Sequence, residues 1–177
     1  MENSHIYIIN GRPRSGKDEF VKQVSAIVSD SCCLNISTVD FVKEVAKFCG
    51  WNGEKDLAAR RFLSDLKDAL TRWNDVPHKK VKEEITKFIG IHLNKHKQKL
   101  ENLYIFIHSR EPEDIDKLKL ELNAKTLLIT RAEVENQDLS NHADSNVYNY
   151  NYDFVIHNDG TIDDLHQQAQ DFVNNEQ

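Results

Sequence analysis

The chain has 177 residues, about one domain at ~100–200 residues each, and its 39% hydrophobic and 29% charged residues exclude a disordered class. The formal net charge of −6 is uneven: residues 132–177 hold ten acidic groups and no Lys or Arg, which argues against general nucleic-acid binding. Three cysteines (Cys32, Cys33, Cys49) exclude a full disulfide framework, and the absence of any apolar run near the ~18 residues of a membrane span excludes a spanning helix. A reduced, cytoplasmic setting without an export signal is therefore expected.

The first element is a short apolar run, Ile6-Tyr7-Ile8-Ile9-Asn10, without alternation, as in a buried parallel strand. Gly11 and Pro13 break it, and a helix is expected from Lys17 to about Ser29 with Phe20, Val21, Val24, Ile27 and Val28 on one face. A second strand follows at Cys33 to Ile36. From Val39 to about Gly50, Phe41, Val42, Val45, Ala46 and Phe48 fit an amphipathic helix. Glu54 to Trp73 and Pro77 to Leu100 read as two more helices, the second with apolar positions Val81, Ile85, Phe88, Ile89 and Leu93. Strands are expected at Leu103 to Ile107, Thr126 to Thr130 and Asp153 to His157. Helices are expected at Pro112 to Leu122 and Ile162 to Val173. The stretch from Ala132 to about Asn151 is polar with weak periodicity. Strands alternating with helices predict one α/β domain over 1–177: a five-stranded parallel sheet in a three-layer architecture. Two departures from simple alternation, a helical insertion at 39–100 and a polar segment at 131–151, both follow strand ends, where such folds place ligands.

Gly11-Arg12-Pro13-Arg14-Ser15-Gly16-Lys17 matches the first seven positions of G-x-x-x-x-G-K-[ST], between a strand and a helix. The glycines let backbone N–H groups turn inward around phosphate oxygens, and the helix N-terminus points its positive end at the anion. Lys17 would reach the β- and γ-phosphates. Asp18 replaces the usual hydroxyl, and a carboxylate is also a hard oxygen ligand for Mg²⁺. Arg12 and Arg14 either add charge at the phosphates or are solvated.

Gly-x-x-x-Ser-Gly-Lys-Asp resembles the loop of the P-loop kinases in the nucleoside-monophosphate-kinase-like group. It is similar above all to phage-type deoxynucleoside monophosphate kinases and animal-type phosphomevalonate kinases. The block from Tyr152 through Asn158-Asp159-Gly160 to Leu165 is similar to the final strand, turn and helix of small-molecule P-loop kinases, where the turn lies against adenine. Thr71-Arg72-Trp73 resembles an Arg-Trp pair in the acceptor-binding helices of the phosphomevalonate branch. The resemblance implies a P-loop NTPase fold with a helical acceptor-binding region at 39–100 and a lid at 131–151. It implies transfer of the ATP γ-phosphoryl group, with Mg²⁺, to a phosphate-bearing small molecule: a (deoxy)nucleoside monophosphate or phosphomevalonate. By position, Gly11, Arg14, Ser15, Gly16 and Lys17 would hold phosphates and Asp18 the metal. Asn158 and Gly160 would border the adenine, Arg72 would face the acceptor phosphate, and Arg110 and Arg131 would serve catalysis with Lys17. The sequence departs from this pattern at His108, where an Asp is expected, and in the lid, where Arg131 is the only basic residue. A nucleotide-binding protein with little kinase activity is the alternative.

Other patterns keep two readings. Asp40, after the second strand, either orients an acceptor or begins a helix, and at most one of the adjacent Arg60 and Arg61 contacts acceptor phosphate. His92 and His96 have the i, i+4 spacing of a helical metal pair but lack a third ligand nearby. The cysteines, without C-x-x-C spacing, are read as buried packing. The lysine-rich helix at 77–100 is a solvated face or a surface for an acidic partner, including the acidic quarter of a second subunit, which leaves a homodimer open. Tyr148, Tyr150 and Tyr152 pack or stack on a base.

Overall fold

A computed structural model describes residues 4–54, 56–95, 102–135 and 147–176. The chain divides into two compact units, Met1–Asn35 with His96–Gln177, and Ile36–Lys95.

The first unit is built on a five-stranded sheet in the order β2-β3-β1-β4-β5. Its strands are β1 (Ser4–Asn10), β2 (Cys33–Ser37, which leads into the second unit), β3 (Leu103–His108), β4 (Lys125–Thr130) and β5 (Phe154–His157). β1 lies at the centre, parallel to β3 with Ile8 opposite Ile107, and parallel to β4 with Asn10 opposite Leu128. β4 in turn runs parallel to β5, with Thr130 opposite His157. The near-continuous apolar runs of β1, β3 and β4 are explained by cover on both faces. Residues of one parity, among them Tyr7, Ile9, Tyr104, Phe106, Leu127 and Ile129, form a core with Phe20, Val21 and Val24 of α1 (Lys17–Val28). Leu165, Ala169, Phe172 and Val173 of the closing C-terminal helix complete that layer. The opposite parity, including Ile6, Ile8, Ile105 and Ile107, is buried on the other face. α5 (Pro112–Leu122) contacts β1 and β4 and buries Ile115 and Leu118. The three-layer α/β architecture with a parallel sheet is thus present as expected. Parallel strands bring their C-terminal ends to one edge, so the loops after Asn10, His108, Thr130 and His157 gather there.

The second unit packs α2 (Asp40–Phe48), α3 (Leu57–Asn74) and α4 (Val76–Lys95) on one another. Val42, Ala46, Val81 and Ile85 are its buried apolar residues. α3 is opened by the Asp56 side chain accepting from Ala59 N at 2.7 Å and is closed by Asp75 at φ 52. Two apolar positions expected on buried faces point outward: Phe48 is 95% and Leu93 62% exposed. Phe48 is the last residue of α2, before the turn at Gly50 (φ 98), so the helix face ends beneath it. At the far end of α4, His92 takes the half-buried position and its Nδ1 lies 2.9 Å from the Phe88 carbonyl oxygen. The cysteines also divide: Cys32 is buried, Cys33 half-buried and Cys49 exposed. Burial holds the Cys33 thiol up at about 11.

After β4 comes a short helix, α6 (Ala132–Glu135), which the weak periodicity of that stretch did not announce. The last helix, α7 (Ile162–Asn175), closes the chain. The expected lid falls partly on residues 136–146, outside the described residues, as do His96, Lys97 and Lys99 of the histidine pair and the basic helix. Among the described residues no helix is long and apolar enough to cross a membrane, and no cluster of three His, Cys, Asp or Glu is placed to hold a metal.

Candidate functional site: the loop between β1 and α1

The loop at 11–16 turns on backbone that only some residues tolerate. Gly11 has φ 149, and a Cβ there would fall on the Ile129 carbonyl oxygen. Gly16, at φ 96, is the N-cap of α1, and a Cβ there would fall on Asn158 Nδ2. Arg14 takes the left-handed region at φ 66 with its side chain exposed. Both glycines are therefore required by close approach of neighbouring chain, not only by the turn.

Two buried asparagines hold the loop in place. Asn10 Oδ1 accepts from Gly11 N at 2.8 Å, while its Nδ2 donates to Tyr152 OH at 2.8 Å and to the Arg110 carbonyl at 3.4 Å. Tyr152 donates in turn to the Val147 carbonyl at 2.8 Å, and burial pushes its phenol up to about 12. Asn158 Nδ2 donates to the Ser15 carbonyl at 3.0 Å, and Asn158 N to the Thr130 carbonyl at 2.9 Å. The residue expected beside adenine thus clamps the loop at 11–16. Gly160 lies in the turn that follows, where a Cβ would sit 2.5 Å from Asp164 Oδ2.

The loop carries donors. Ser15 is fully buried, and its Oγ has no hydrogen-bond partner among the described residues. Gly16 supplies no side-chain cap to the twelve-residue α1, so the helix presents its first N–H groups and positive dipole end to the loop. Lys17 Nζ donates to the carbonyls of Gly11 (2.6 Å) and Arg12 (2.8 Å), a curled position from which an anion can draw it. Arg12 reaches the other way: Nη1 donates to the Val134 carbonyl at 3.3 Å and the guanidinium lies 5.2 Å from the Tyr148 ring centroid.

Asp18 stands at the start of α1 with its carboxylate 91% exposed, 3.6 Å from His108 Nε2. His108 Nε2 donates to Asn35 Oδ1 at 2.8 Å, so the histidine at the end of β3 stands between β2 and the first turn of α1. Arg110 is exposed. Arg131 pairs with Glu133 at 2.7 Å, and the next residue, Ala132, donates its N–H to Asp159 Oδ1 at 2.7 Å. These loop-side groups all belong to the first unit. Asp40 and Arg72 belong to the second. There the Asp40 carboxylate accepts from Ser37 N at 2.7 Å and Lys43 Nζ at 3.1 Å, and Arg72 is exposed in the last turn of α3.

Neither a protein-family model nor a curated relative matches the sequence. Among solved structures, the chain is similar to a dephospho-CoA kinase from Campylobacter jejuni at 16% identity, covering 97% of each chain with a TM-score of 0.47. A thymidylate kinase from Ehrlichia chaffeensis matches at 13% identity over 97% of this chain and 99% of that one, TM-score 0.48. The APS kinase CysC of Mycobacterium tuberculosis matches at 13% identity over 97% and 98%, TM-score 0.42. What those enzymes act on is a property of those enzymes.

Asn10, Tyr152, His108 and Asn35 were not singled out by sequence as loop supports. The available signal was an asparagine directly before the first loop glycine, in a strand otherwise apolar.

Proposed function

We propose that the chain is an ATP-dependent phosphotransferase that moves the γ-phosphoryl group to a phosphate-bearing small molecule, a (deoxy)nucleoside monophosphate first among acceptors. The observation that carries this reading is the loop at 11–17: a cradle held open by Asn10 and Asn158, with an unpartnered buried Ser15 Oγ and an uncapped helix start. Such an array of donors suits an anion of several phosphate oxygens.

In the reaction, an oxygen of the acceptor phosphate attacks the γ-phosphorus, the bond from γ-phosphorus to the β–γ bridging oxygen breaks, and ADP leaves with that electron pair. The acceptor is already ionised, so no side chain need remove a proton. Lys17 exchanges the carbonyls of Gly11 and Arg12 for phosphate oxygens and carries charge to the leaving side. Gly11, Arg14, Ser15 and Gly16 line the phosphates, while Asn158 and Gly160 border the base. Asp18 offers an exposed hard oxygen that would hold Mg²⁺, and the ion would supply positive charge against the phosphates. Arg110 and Arg131 neutralise the transferring group, Arg131 by leaving Glu133. Asp40 is assigned to acceptor orientation. Most of the rate comes from positioning and charge, not covalent chemistry.

The pairing of Arg131 with Glu133, together with His108 in place of a carboxylate, favours a second reading in which nucleotide binds but turnover is poor. One experiment separates the two. ADP release from Mg-ATP is measured with each common nucleoside monophosphate and with phosphomevalonate, beside calorimetric ATP titration of the wild type and Lys17→Ala. Turnover with one acceptor establishes the kinase. ATP binding without turnover replaces it with the binding protein, and ATP affinity unaltered by Lys17→Ala overturns the placement of the phosphates.

A further inference from the structure

α3 is an amphipathic helix in which no residue is buried. Leu63, Leu66 and Leu70 are half-buried, in keeping with its packing on α2 and α4. Beside them runs a second apolar stripe, Ala59, Phe62, Leu66, Ala69 and Trp73, spaced by alternating intervals of three and four. This is the heptad spacing of a helix that pairs with another helix. Its large members stand out of the unit: Trp73 is 82% and Phe62 39% exposed, and Ala69 between them is exposed as well. Asp65 and Arg72, both exposed, flank the stripe on the side away from Leu63 and Leu70.

The stripe is self-complementary in one direction only. Two copies of α3 laid antiparallel about a two-fold axis between Lys67 and Asp68 bring Phe62 opposite Trp73 and Leu66 opposite Ala69, each twice. The large pairs lie at the ends, and alanine in the middle lets the helices approach. The same register sets Asp65 across from Arg72 on the flank, again twice. A parallel register would instead carry the two copies' Asp65 and Arg72 to opposite flanks of the seam, with Asp65 facing Leu70 and no matched charge. Solvent-facing Trp and Phe in one row, bordered by charges matched to their own symmetry mates, call for a second copy of the same surface rather than for water.

We propose that the exposed face of α3 is a homodimer seam, in which a second copy of this chain covers Phe62 and Trp73 and pairs Asp65 with Arg72 reciprocally. The seam is ~27 Å long for 18 residues at ~1.5 Å each. A contact of that length is small beside the ~1,600 Å² of a standard interface, so the dimer is a dissociating one. The proposal concerns the second unit alone and does not depend on phosphotransfer.

The test is sedimentation equilibrium of the full chain from ~5 to ~500 μM, the range in which small interfaces dissociate. A reversible monomer–dimer equilibrium is expected, weakened at least tenfold by Trp73→Glu and at least fivefold by Arg72→Asp or Asp65→Arg alone. The double variant D65R/R72D restores the pair in reversed polarity and should return to within about threefold of the wild-type constant. Circular dichroism on each variant shows whether it folds, and the charge swap decides if Trp73→Glu does not. A chain that is monomeric at every concentration overturns the proposal, as does a dimer indifferent to Trp73→Glu or single charge reversals that the double variant fails to rescue.

Discussion

Gly16 stands at φ 96, with Asn158 Nδ2 in the place where a Cβ would be. Gly16→Ala is therefore strained twice, by backbone and by collision with the amide that holds the Ser15 carbonyl. The expected cost is ~1–3 kcal/mol in urea unfolding, with ATP affinity at least tenfold weaker in calorimetry. An unchanged denaturation midpoint would mean the loop relaxes freely. Asn158→Asp tests the same contact from the other side. A carboxylate oxygen replaces the donating N–H beside a carbonyl oxygen, so ~1–3 kcal/mol should be lost by leaving that buried carbonyl unpaired. Asn158→Ser, which keeps a donor, should lose less. The loop itself was legible because its signal is local: two glycines, a lysine, a strand before and a helix after. The supports were not, because Asn158 meets Ser15 across 143 positions and His108 meets Asn35 across 73. No periodicity encodes a contact of that separation.

At the scale of elements, α7 begins with a reciprocal cap. Thr161 Oγ1 accepts from Asp164 N at 3.2 Å, and Asp164 Oδ2 accepts from Thr161 N at 2.8 Å. The backbone N–H of Thr161, with its hydroxyl, holds the Asp164 carboxyl below its ordinary value of 3.8. A lowered folded value means that the unfolded chain binds the proton more tightly, so this contribution is present above that ordinary value and lost as pH falls through the folded one. Thr161→Ala should cost ~1 kcal/mol at neutral pH, and the gap between variant and wild type in thermal unfolding should narrow in acid. A gap that widened in acid would remove the capping account. Gly160 is explained by the same element: its missing Cβ leaves room for Asp164. The helix at Ile162 to Val173 was legible but its cap at Thr161 was not, and strand and helix types agreed with their patterns because buried runs and 3.6-residue periods state which side is apolar. They do not state what covers that side. For this reason α3 could be read as a helix while the exposure of Trp73, like that of Phe48 and Leu93, could not.

For the whole first unit, the sheet has a second polar centre at the end away from the loop at 11–16. Glu176 accepts from Tyr7 OH at 2.7 Å and Lys125 Nζ at 2.5 Å and lies 3.7 Å from His5 Nδ1, so the end of the chain is tied to β1 and β4. Burial would raise the Glu176 carboxyl, but hydrogen bonds from Lys125 and Tyr7 outweigh it and hold the group below its ordinary 4.5. Burial also lowers the His5 imidazole below 6.5, against the pull of Glu176. Both groups bind protons more tightly in the unfolded chain, so each adds stability that rises with pH. The His5 share is complete above its ordinary value and is lost as pH falls through the folded one. The Glu176 share follows at lower pH. His5→Phe keeps a ring against Tyr104, whose centroid lies 4.9 Å away, and removes the titration. Urea unfolding from about pH 7.5 to about pH 3 should then show a flatter curve for the variant as pH falls below the ordinary imidazole value, with the steeper acid limb retained. Glu176→Gln should cost ~1–3 kcal/mol at neutral pH through weaker bonds to Lys125 and Tyr7, and little once the wild-type carboxylate is protonated. If the wild type and His5→Phe differed by a constant amount across that upper range, burial of a neutral His5 would not be among the forces that stabilise the sheet.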